Sequence, residues 1–213
     1  IKGSSIEHAW ASDYDQDSCR TYKRNIKTKA IFCEKVENFF SLVDKKKIIL
    51  PKFDCFAYGF PCNDFSNVGE HLGFRGKFGP LYSYGVELID RYHPKWFIAE
   101  NVGGISSSNE GKAFKKILFD LKHAGKGYNL TVHKYKFEEY GIPQARHRII
   151  IVGIKKELNL KFKVPKPNYN LNIKSKFHGE MTGKMISGIE KILLKEEPNY
   201  TIVYGDTNST LAG

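Results

Sequence analysis

The chain has 213 residues, of which 41% are hydrophobic, 14% aromatic and 27% charged. This composition is typical of a globular domain and argues against a disordered chain. No segment approaches the roughly 18 consecutive apolar residues of a membrane span. The opening residues IKGSSIEHAW lack the apolar core of a signal peptide, so we expect neither a membrane protein nor a secreted one.

Charge and cysteine content narrow the choice of partners and compartment. The formal net charge is +11, from 34 basic and 23 acidic residues, which favours a polyanionic partner and nucleic acid in particular. The alternative is a lysine-rich soluble surface. The four cysteines, at positions 19, 33, 55 and 62, show no C-x-x-C spacing, so we expect free thiols in a reducing cytoplasm.

Short apolar runs alternate with helical patterns along the chain. Apolar runs occupy 8–13, 53–60, 95–101 and 148–154; helical patterns occupy 16–25, 80–92 and 113–121, and a further helix and strand follow at 183–196 and 200–204. In the 80–92 helix, the predicted apolar face is Leu81, Tyr84, Leu88 and Tyr92, and in the 113–121 helix it is Ala113, Phe114, Ile117, Leu118 and Leu121. Strands that alternate with helices predict an α/β fold with a largely parallel sheet.

Polar clusters follow three of the predicted strands. They are Asp13-Tyr14-Asp15, Pro61-Cys62-Asn63 and Glu100-Asn101, and the loop GIPQARHR at 141–148 leads into a further strand. Functional sites in open α/β sheets gather at the carboxyl ends of the strands. These clusters therefore favour a chemical role for Cys62 over that of a buried structural thiol.

Three motifs in this order carry a family resemblance. GFPCNDFS at 59–66 resembles the proline-cysteine motif of DNA cytosine-5 methyltransferases, AENV at 99–102 resembles their Glu-Asn-Val motif, and GIPQARHR resembles their Gln-x-Arg-x-Arg motif. The resemblance covers residues 8 to about 168. It implies a mostly parallel, Rossmann-like sheet of the S-adenosylmethionine-dependent methyltransferase type, incomplete, with a C-terminal helix–strand appendage.

The resemblance implies covalent catalysis on cytosine. Cys62 would add to C6 of the ring, which makes C5 able to attack a methyl donor. Glu100 would hold N3 and the exocyclic amine, Arg148 would grip O2, and Arg146 would orient neighbouring groups. The alternative for Glu100 is an ordinary carboxylate at the end of a strand. The alternatives for Arg146 and Arg148 are a phosphate contact or a simple surface pair.

The same resemblance implies double-stranded DNA as substrate, with the target base flipped out of the duplex. Residues 63–78 resemble the family's mobile catalytic loop, and a plain surface loop is the alternative. Ser66 would touch the DNA backbone, and Arg75 and Lys77 would meet phosphate. The full set of predicted DNA-binding residues is Asn63, Ser66, Arg75, Lys77, Asn101 and Gln144.

S-adenosylmethionine is the implied methyl donor, and no metal is implied. Asp13, at the end of a strand, would bind the ribose hydroxyls, as carboxylates at that place do in related nucleotide folds. Tyr14 would stack on the adenine, and Glu34 would meet the adenine amine. Leu81 would be the apolar contact to the cofactor.

The chain departs from the family pattern at four places. Asn63 stands where the family usually has glutamine, and the glycine-rich loop expected after the first strand is missing. The target-recognition region and the final motifs are also missing, which raises a second chain as their source. Finally, 178–213 resembles a fragment of non-hydrolysing UDP-N-acetylglucosamine 2-epimerases, with Asp206 at an acidic position of that family's active site.

These observations predict three segments and leave three functions open. The segments are a methyltransferase core at 1–154, a basic linker at 155–177 and a helix–strand segment at 178–213. The leading function is a DNA cytosine-5 methyltransferase of a restriction-modification system, in a bacterial or phage-like cytoplasm. The alternatives are a catalytically incomplete DNA-binding remnant and, third, an epimerase fragment. For the linker we expect an extended, solvated connector. The alternative is a segment whose lysines follow the phosphates of the partner.

Overall fold

The structure is a computed structural model that describes residues 6–60, 81–106, 111–140, 146–166, 171, 173 and 175–199. Six strands and five α-helices lie in these ranges. They are β1 (His8–Asp13), α1 (Gln16–Asn25), β2 (Thr28–Cys33), α2 (Val36–Asp44), β3 (Cys55–Gly59), α3 (Leu81–Tyr92), β4 (Trp96–Val102), α4 (Lys112–His123), β5 (Tyr128–Lys136), β6 (His147–Lys155) and α5 (His178–Glu196).

The described strands form two sheets. β1 and β2 pair in parallel as a two-stranded sheet, and the other four strands form a sheet in the order β3-β4-β6-β5. β3 and β4 are parallel, while β6 is antiparallel to both of its neighbours. β3, β4 and β5 therefore run in one direction, and the predicted α/β fold with a mostly parallel sheet is confirmed.

The division into two sheets differs from the single sheet that the resemblance implied. In the doubly wound order 3-2-1-4-5, the first strand lies between the second and the fourth. β1 and β2 correspond to the second and third strands of that order, and β3 to the fourth. The break between the sheets thus falls at the position that the first strand occupies in the doubly wound order.

The main core lies between the four-stranded sheet and helices α3 and α4. The predicted apolar face of α4 is confirmed, because Ala113, Ile117 and Leu121 are buried and Phe114 and Leu118 pack against them. From the sheet, alternate residues of β4 and β6 face these side chains, as the period of two in a strand requires. The core thereby holds the carboxyl end of β4 in a fixed place.

Helix α3 buries a different face from the predicted one. Its buried residues are Tyr82, Gly85, Leu88 and Ile89, so Leu88 alone of the predicted set is buried, and Tyr92 is 37% exposed. The reason is that Gly85 lies against the ring of Tyr58. Glycine has no side chain, so a pattern of apolar side chains does not reveal this contact. A Cβ built on Gly85 would be 2.1 Å from Tyr58 Cε2.

An aromatic cluster connects the two sheets. Trp10 of β1 stacks on Phe56 of β3 with ring centroids 6.0 Å apart, and on Phe39 of α2 with centroids 5.8 Å apart. Phe39, Phe40 and Leu88 form the buried centre of this cluster. Ring packing of this kind buries large apolar area, so it holds the two sheets together without ladder hydrogen bonds.

The C-terminal part of the described chain is exposed. The first residues of the predicted linker lie along β5, where Asn129 Nδ2 donates to Leu160 O at 3.3 Å and Thr131 Oγ1 donates to Phe162 O at 3.2 Å. The predicted helix over 183–196 is present as α5, in which no residue is buried. No helix in the described ranges is both long and apolar enough to cross a bilayer. The division into three segments stays a prediction.

The contact between Gly85 and Tyr58 makes a stability prediction. In Gly85→Ala, the new methyl group would overlap the Tyr58 ring, which is itself stacked on Phe56 with centroids 4.9 Å apart. We expect a net loss of about 1–3 kcal/mol in the free energy of unfolding, as for other overpacked cores, measured by urea denaturation. The matched control is Gly183→Ala in α5, where a Cβ meets nothing within 4 Å. An equal loss in both variants would contradict the packing explanation.

Candidate active site

The site is organised by β4, which lies between β3 and β6. In the strand pairing, Glu100 is the partner of Gly59 on one side and of Ile150 on the other. Arg148 is the partner of Val102, two residues beyond Glu100 along β4. Diagonal neighbours of this kind lie on the same face of a sheet within reach of long side chains. The pairing therefore brings residues from all three predicted motifs together: Gly59, Glu100 and Arg148.

Glu100 and Arg148 form an ion pair at this end of the sheet. Arg148 Nε donates to Glu100 Oε1 at 2.8 Å, and the two side chains are 19% (Arg148) and 39% (Glu100) exposed. Arg148 Nη1 also donates to the carbonyl of His147 at 2.8 Å. The guanidinium is thus oriented by two acceptors, and it in turn fixes one oxygen of the Glu100 carboxylate.

The second oxygen of Glu100 lies on the side of β3. A Cβ built on Gly59 would be 3.3 Å from Glu100 Oε2, which is closer than most side-chain contacts. A larger residue at position 59 would therefore press on this carboxylate. Gly59 opens the proline-cysteine motif, so its lack of a side chain leaves room for Glu100 beside that motif.

Asn101 attaches the end of β3 to the end of β4. Its side chain is 3% exposed. Asn101 Nδ2 donates to the carbonyl of Phe60 at 2.9 Å, and Asn101 Oδ1 accepts from the backbone N–H of Val102 at 2.8 Å. Phe60 directly precedes Pro61 and Cys62, so Asn101 fixes the backbone that enters the motif. Its predicted contact with DNA stays a prediction.

Several predicted site residues lie outside the described ranges. They are Cys62, Asn63, Ser66, Arg75, Lys77 and Gln144. Arg146 is described: it is exposed, it directly precedes β6, and its carbonyl accepts from the backbone N–H of Phe137 at 3.0 Å. The structure thus brings Glu100, Asn101 and Arg148 together at one end of the sheet and leaves the role of Arg146 as predicted from the sequence.

The predicted cofactor residues lie at the carboxyl edge of β1 and β2. The backbone N–H of Glu34 donates to the carbonyl of Asp13 at 3.0 Å, which holds the two strand ends together. Asp13 Oδ1 accepts from the backbone N–H of Asp15 at 2.9 Å, and Glu34 Oε2 accepts from Asn38 Nδ2. Both carboxylates therefore lie at the same edge, each oriented through one oxygen.

Of the residues next to Asp13, Asp15 has a structural role and Tyr14 is exposed. Asp15 caps α1, where its carboxylate accepts from the backbone N–H of Ser18 at 2.9 Å; hydrogen bonds from Ser18 lower the pKa of Asp15. Tyr14 between them is 73% exposed, so its ring is available to stack on a ligand. Leu81 is the first residue of α3 and is half-buried.

Two features of these edges were not predicted from the sequence. One is the use of the Phe60 carbonyl as an anchor for Asn101. The other is the position of Cys19 and Cys33, whose thiols lie against the turn that follows β1. In the part of the chain that the structure describes, no three His, Cys, Asp or Glu side chains are arranged to hold a metal.

Comparison with protein families identifies relatives of this chain. A family model described as C-5 cytosine-specific DNA methylase matches residues 1–208. Type II methyltransferase M.BbvI of Brevibacillus brevis is 53% identical over 170 residues, which are 77% of this chain and 44% of that protein. M.NgoFVII of Neisseria gonorrhoeae is 32% identical over 167 residues, 78% of this chain and 43% of the relative. The chain spans less than half the length of these relatives.

Solved structures show the same fold. A structure described as a DNA modification methyltransferase encoded within an E. coli prophage aligns with a TM-score of 0.55 at 24% identity, over 76% of this chain and 43% of that one. A Spodoptera frugiperda DNMT2 mutant aligns with a TM-score of 0.55 at 18% identity, over 82% of this chain and 54% of that one.

The family match extends to residue 208. The separate resemblance of 178–213 to epimerases stays untested.

Removal of the Asn101 amide tests the attachment of β3 to β4. In Asn101→Ala, the buried carbonyl of Phe60 loses its donor, and we expect a loss of about 1–3 kcal/mol in the free energy of unfolding. Urea denaturation measures it. Asn129→Ala is the control, because the hydrogen bond that it removes is exposed to solvent. This variant should change the free energy of unfolding by about 0.5 kcal/mol or less. Equal stability of Asn101→Ala and the wild type would contradict this role.

Proposed function

The chain belongs to the family of C-5 cytosine-specific DNA methylases, and from this premise we propose that it methylates C5 of a flipped-out cytosine in DNA. In this proposal, S-adenosylmethionine is the methyl donor and Cys62 forms a covalent adduct with the base. The proposal extends to this chain the activity of relatives of which its matched residues cover less than half.

One observation carries the proposal at the level of residues. Glu100, Asn101 and Arg148 meet where the backbone enters the proline-cysteine motif, through the contacts Glu100–Arg148 at 2.8 Å and Asn101–Phe60 at 2.9 Å. A carboxylate, a guanidinium and a thiol are the three groups that the proposed chemistry needs around one pyrimidine ring. The convergence of Glu100 and Arg148 beside the strand end that leads to Cys62 in the sequence supports a catalytic site better than a set of unrelated surface charges does.

In the proposed reaction, the Cys62 thiolate forms a bond to C6 of cytosine. The electron pair of the C5–C6 double bond then makes C5 a nucleophile, and C5 would take the methyl group as the bond between that group and the donor's sulfonium sulfur breaks, which leaves a neutral thioether. Loss of the C5 proton and release of the thiolate restore the aromatic ring. The thiolate is the attacking species, and a free cysteine has a pKa of about 8.5, so the proposed reaction requires a site that favours the anion.

Glu100 is proposed to stabilise the ring during thiolate attack. Its carboxylic acid form would donate to N3 and its other oxygen would accept from the exocyclic amine. Because Arg148 donates to Oε1, the oxygen Oε2 on the side of Gly59 is the one proposed to carry the proton that is donated to N3. Arg148 would in turn grip O2 of the cytosine, since a guanidinium presents several donors in a fixed plane.

The residues at the edge of β1 and β2 fit S-adenosylmethionine. When bound, it would supply an electrophilic methyl group. The Asp13 carboxylate would accept from the ribose hydroxyls, the exposed Tyr14 ring would stack on the adenine, and Glu34 would accept from the adenine amine. The backbone N–H of Glu34 donates to the carbonyl of Asp13, so the two residues lie at one edge of the sheet. This position supports a shared ligand for their carboxylates. Leu81, half-buried at the start of α3, would add an apolar contact.

Double-stranded DNA is the proposed macromolecular substrate. The net charge of +11 favours phosphate contacts, and a base inside a duplex must leave the stack to reach a thiol. Asn63, Ser66, Arg75, Lys77 and Gln144 are the proposed DNA-facing residues. The named relatives are bacterial type II methyltransferases, which supports a role in a restriction-modification system of a bacterial cytoplasm.

DNA binding without catalysis is the second candidate function. The positive charge favours it, because electrostatic attraction to phosphate needs no catalytic thiol. Calorimetry separates the two candidates: the methyltransferase binds S-adenosylmethionine with measurable heat, and the DNA-binding protein binds only the duplex.

Covalent trapping tests the proposed nucleophile. We expect the protein, incubated with S-adenosylmethionine and duplex DNA that contains 5-fluorocytosine, to form a complex that survives denaturing electrophoresis. The fluorine blocks the final elimination, so the Cys62–C6 bond persists. Cys62→Ser should form no such complex, because a serine hydroxyl is a far weaker nucleophile than a thiolate.

The matched control is Cys55→Ser. Cys55 lies on β3, half-buried, and burial raises the pKa of its thiol to about 11, which disfavours the thiolate. Its removal should leave trapping intact. Undiminished trapping in Cys62→Ser would overturn the assignment of the nucleophile. The same conclusion would follow if a folded Cys55→Ser variant lost trapping while Cys62→Ser kept it.

A further inference from the structure

Two cysteine thiols converge on the turn that follows β1. Cys19 Sγ donates to the carbonyl of Asp13 at 3.5 Å, and Cys33 Sγ donates to the carbonyl of Tyr14 at 3.9 Å. These carbonyls belong to consecutive residues, so both sulfur atoms lie beside the same short stretch of backbone. Cys33 is also the partner of Asp13 in the parallel pairing of β1 with β2.

The two thiols also interact with each other. Burial, a hydrogen bond with the Cys33 thiol and the charge of Asp13 raise the pKa of Cys19 to about 11. A disulfide needs the two sulfur atoms at a bond length of about 2.05 Å, which thiols beside the carbonyls of consecutive residues can approach by side-chain rotation. Sequence spacing did not reveal the pair, because one cysteine lies on α1 and the other on β2.

We propose that Cys19 and Cys33 form an oxidisable thiol pair that closes to a disulfide on exposure to a low-molecular-weight disulfide such as oxidised glutathione. The two residues differ in access: Cys33 is exposed, whereas Cys19 is only 7% exposed. Exposure decides which thiol an external reagent meets first. Cys33 is therefore the entry point, and Cys19 is the resolving thiol.

The exchange proceeds in two balanced steps. The Cys33 thiolate attacks one sulfur of oxidised glutathione, the glutathione disulfide bond breaks, and one glutathione leaves as its thiolate. Cys19 Sγ, as its thiolate, then attacks the Cys33 sulfur of the mixed disulfide and releases the second glutathione. The protein loses two protons and two electrons, which the two released glutathione molecules carry. The crosslink also removes both S–H donors from the carbonyls of Asp13 and Tyr14.

Tryptic mapping tests the pair directly, since trypsin cleaves between the two cysteines. Cys19 falls in peptide 3–20, Cys33 in peptide 30–35, and Cys55 together with Cys62 in peptide 53–75. The folded protein is incubated with oxidised glutathione, quenched with acid, alkylated and digested. Mass spectrometry without reduction should show 3–20 linked to 30–35, two hydrogens lighter than their sum, and reduction should separate them.

Two variants give the order of the steps. In Cys33→Ser, the shielded Cys19 should take up glutathione at least about tenfold more slowly than Cys33 does in the wild type. In Cys19→Ser, Cys33 should stop at the mixed disulfide with glutathione. Cys55→Ser should still give the 3–20 to 30–35 link.

A link of either peptide to 53–75 in place of the expected one, or no link at all in the folded wild type, would overturn the proposal. Rapid uptake of glutathione by Cys19 in the Cys33→Ser variant would overturn the proposed entry point. None of these outcomes depends on methyl transfer, so the proposed function and the thiol pair are judged separately.

Discussion

The pairing of β4 with its two neighbours is the constraint on which the candidate site depends. It places Glu100 opposite Gly59 and diagonally opposite Arg148, and it directs these side chains to one face of the sheet. A shift of one residue in this register would send Glu100 to the face packed against α3 and α4. The buried residues on that face, among them Phe97 and Ala99, therefore fix the position of the Glu100 carboxylate.

The site has two halves on two sheets, and aromatic packing connects them. The predicted cofactor residues Asp13, Tyr14 and Glu34 lie at the ends of β1 and β2, whereas Glu100 lies in β4 and Arg148 in β6. Trp10 stacks on Phe56 across the break between the sheets. Because this contact has no directional hydrogen bonds, the relative position of the halves depends on close packing around Trp10. The carboxylate and guanidinium of the catalytic half depend on strand register instead.

Local patterns predicted the elements better than they predicted contacts between elements. The strand at 8–13 and the helix at 16–25 match the structure, because alternation and helical periodicity are properties of neighbouring residues. The buried face of α3 was wrong, since Gly85 contributes no side chain to the pattern. β5 was not predicted, because polar residues interrupt its sequence, YNLTVHKYK, at the sheet edge. The Glu100–Arg148 and Cys19–Cys33 pairs depend on strand and helix packing that one sequence does not encode locally.

The methylated nucleoside tests the central claim most directly. Duplex DNA is incubated with the protein and S-adenosylmethionine, digested to nucleosides and analysed by mass spectrometry. The account predicts 5-methyldeoxycytidine, with a yield about 10²–10³ lower in Glu100→Gln, the range that loss of one well-placed polar group produces in other enzymes. A methyl group on N4 of cytosine or on adenine, or an undiminished yield in Glu100→Gln, would contradict it.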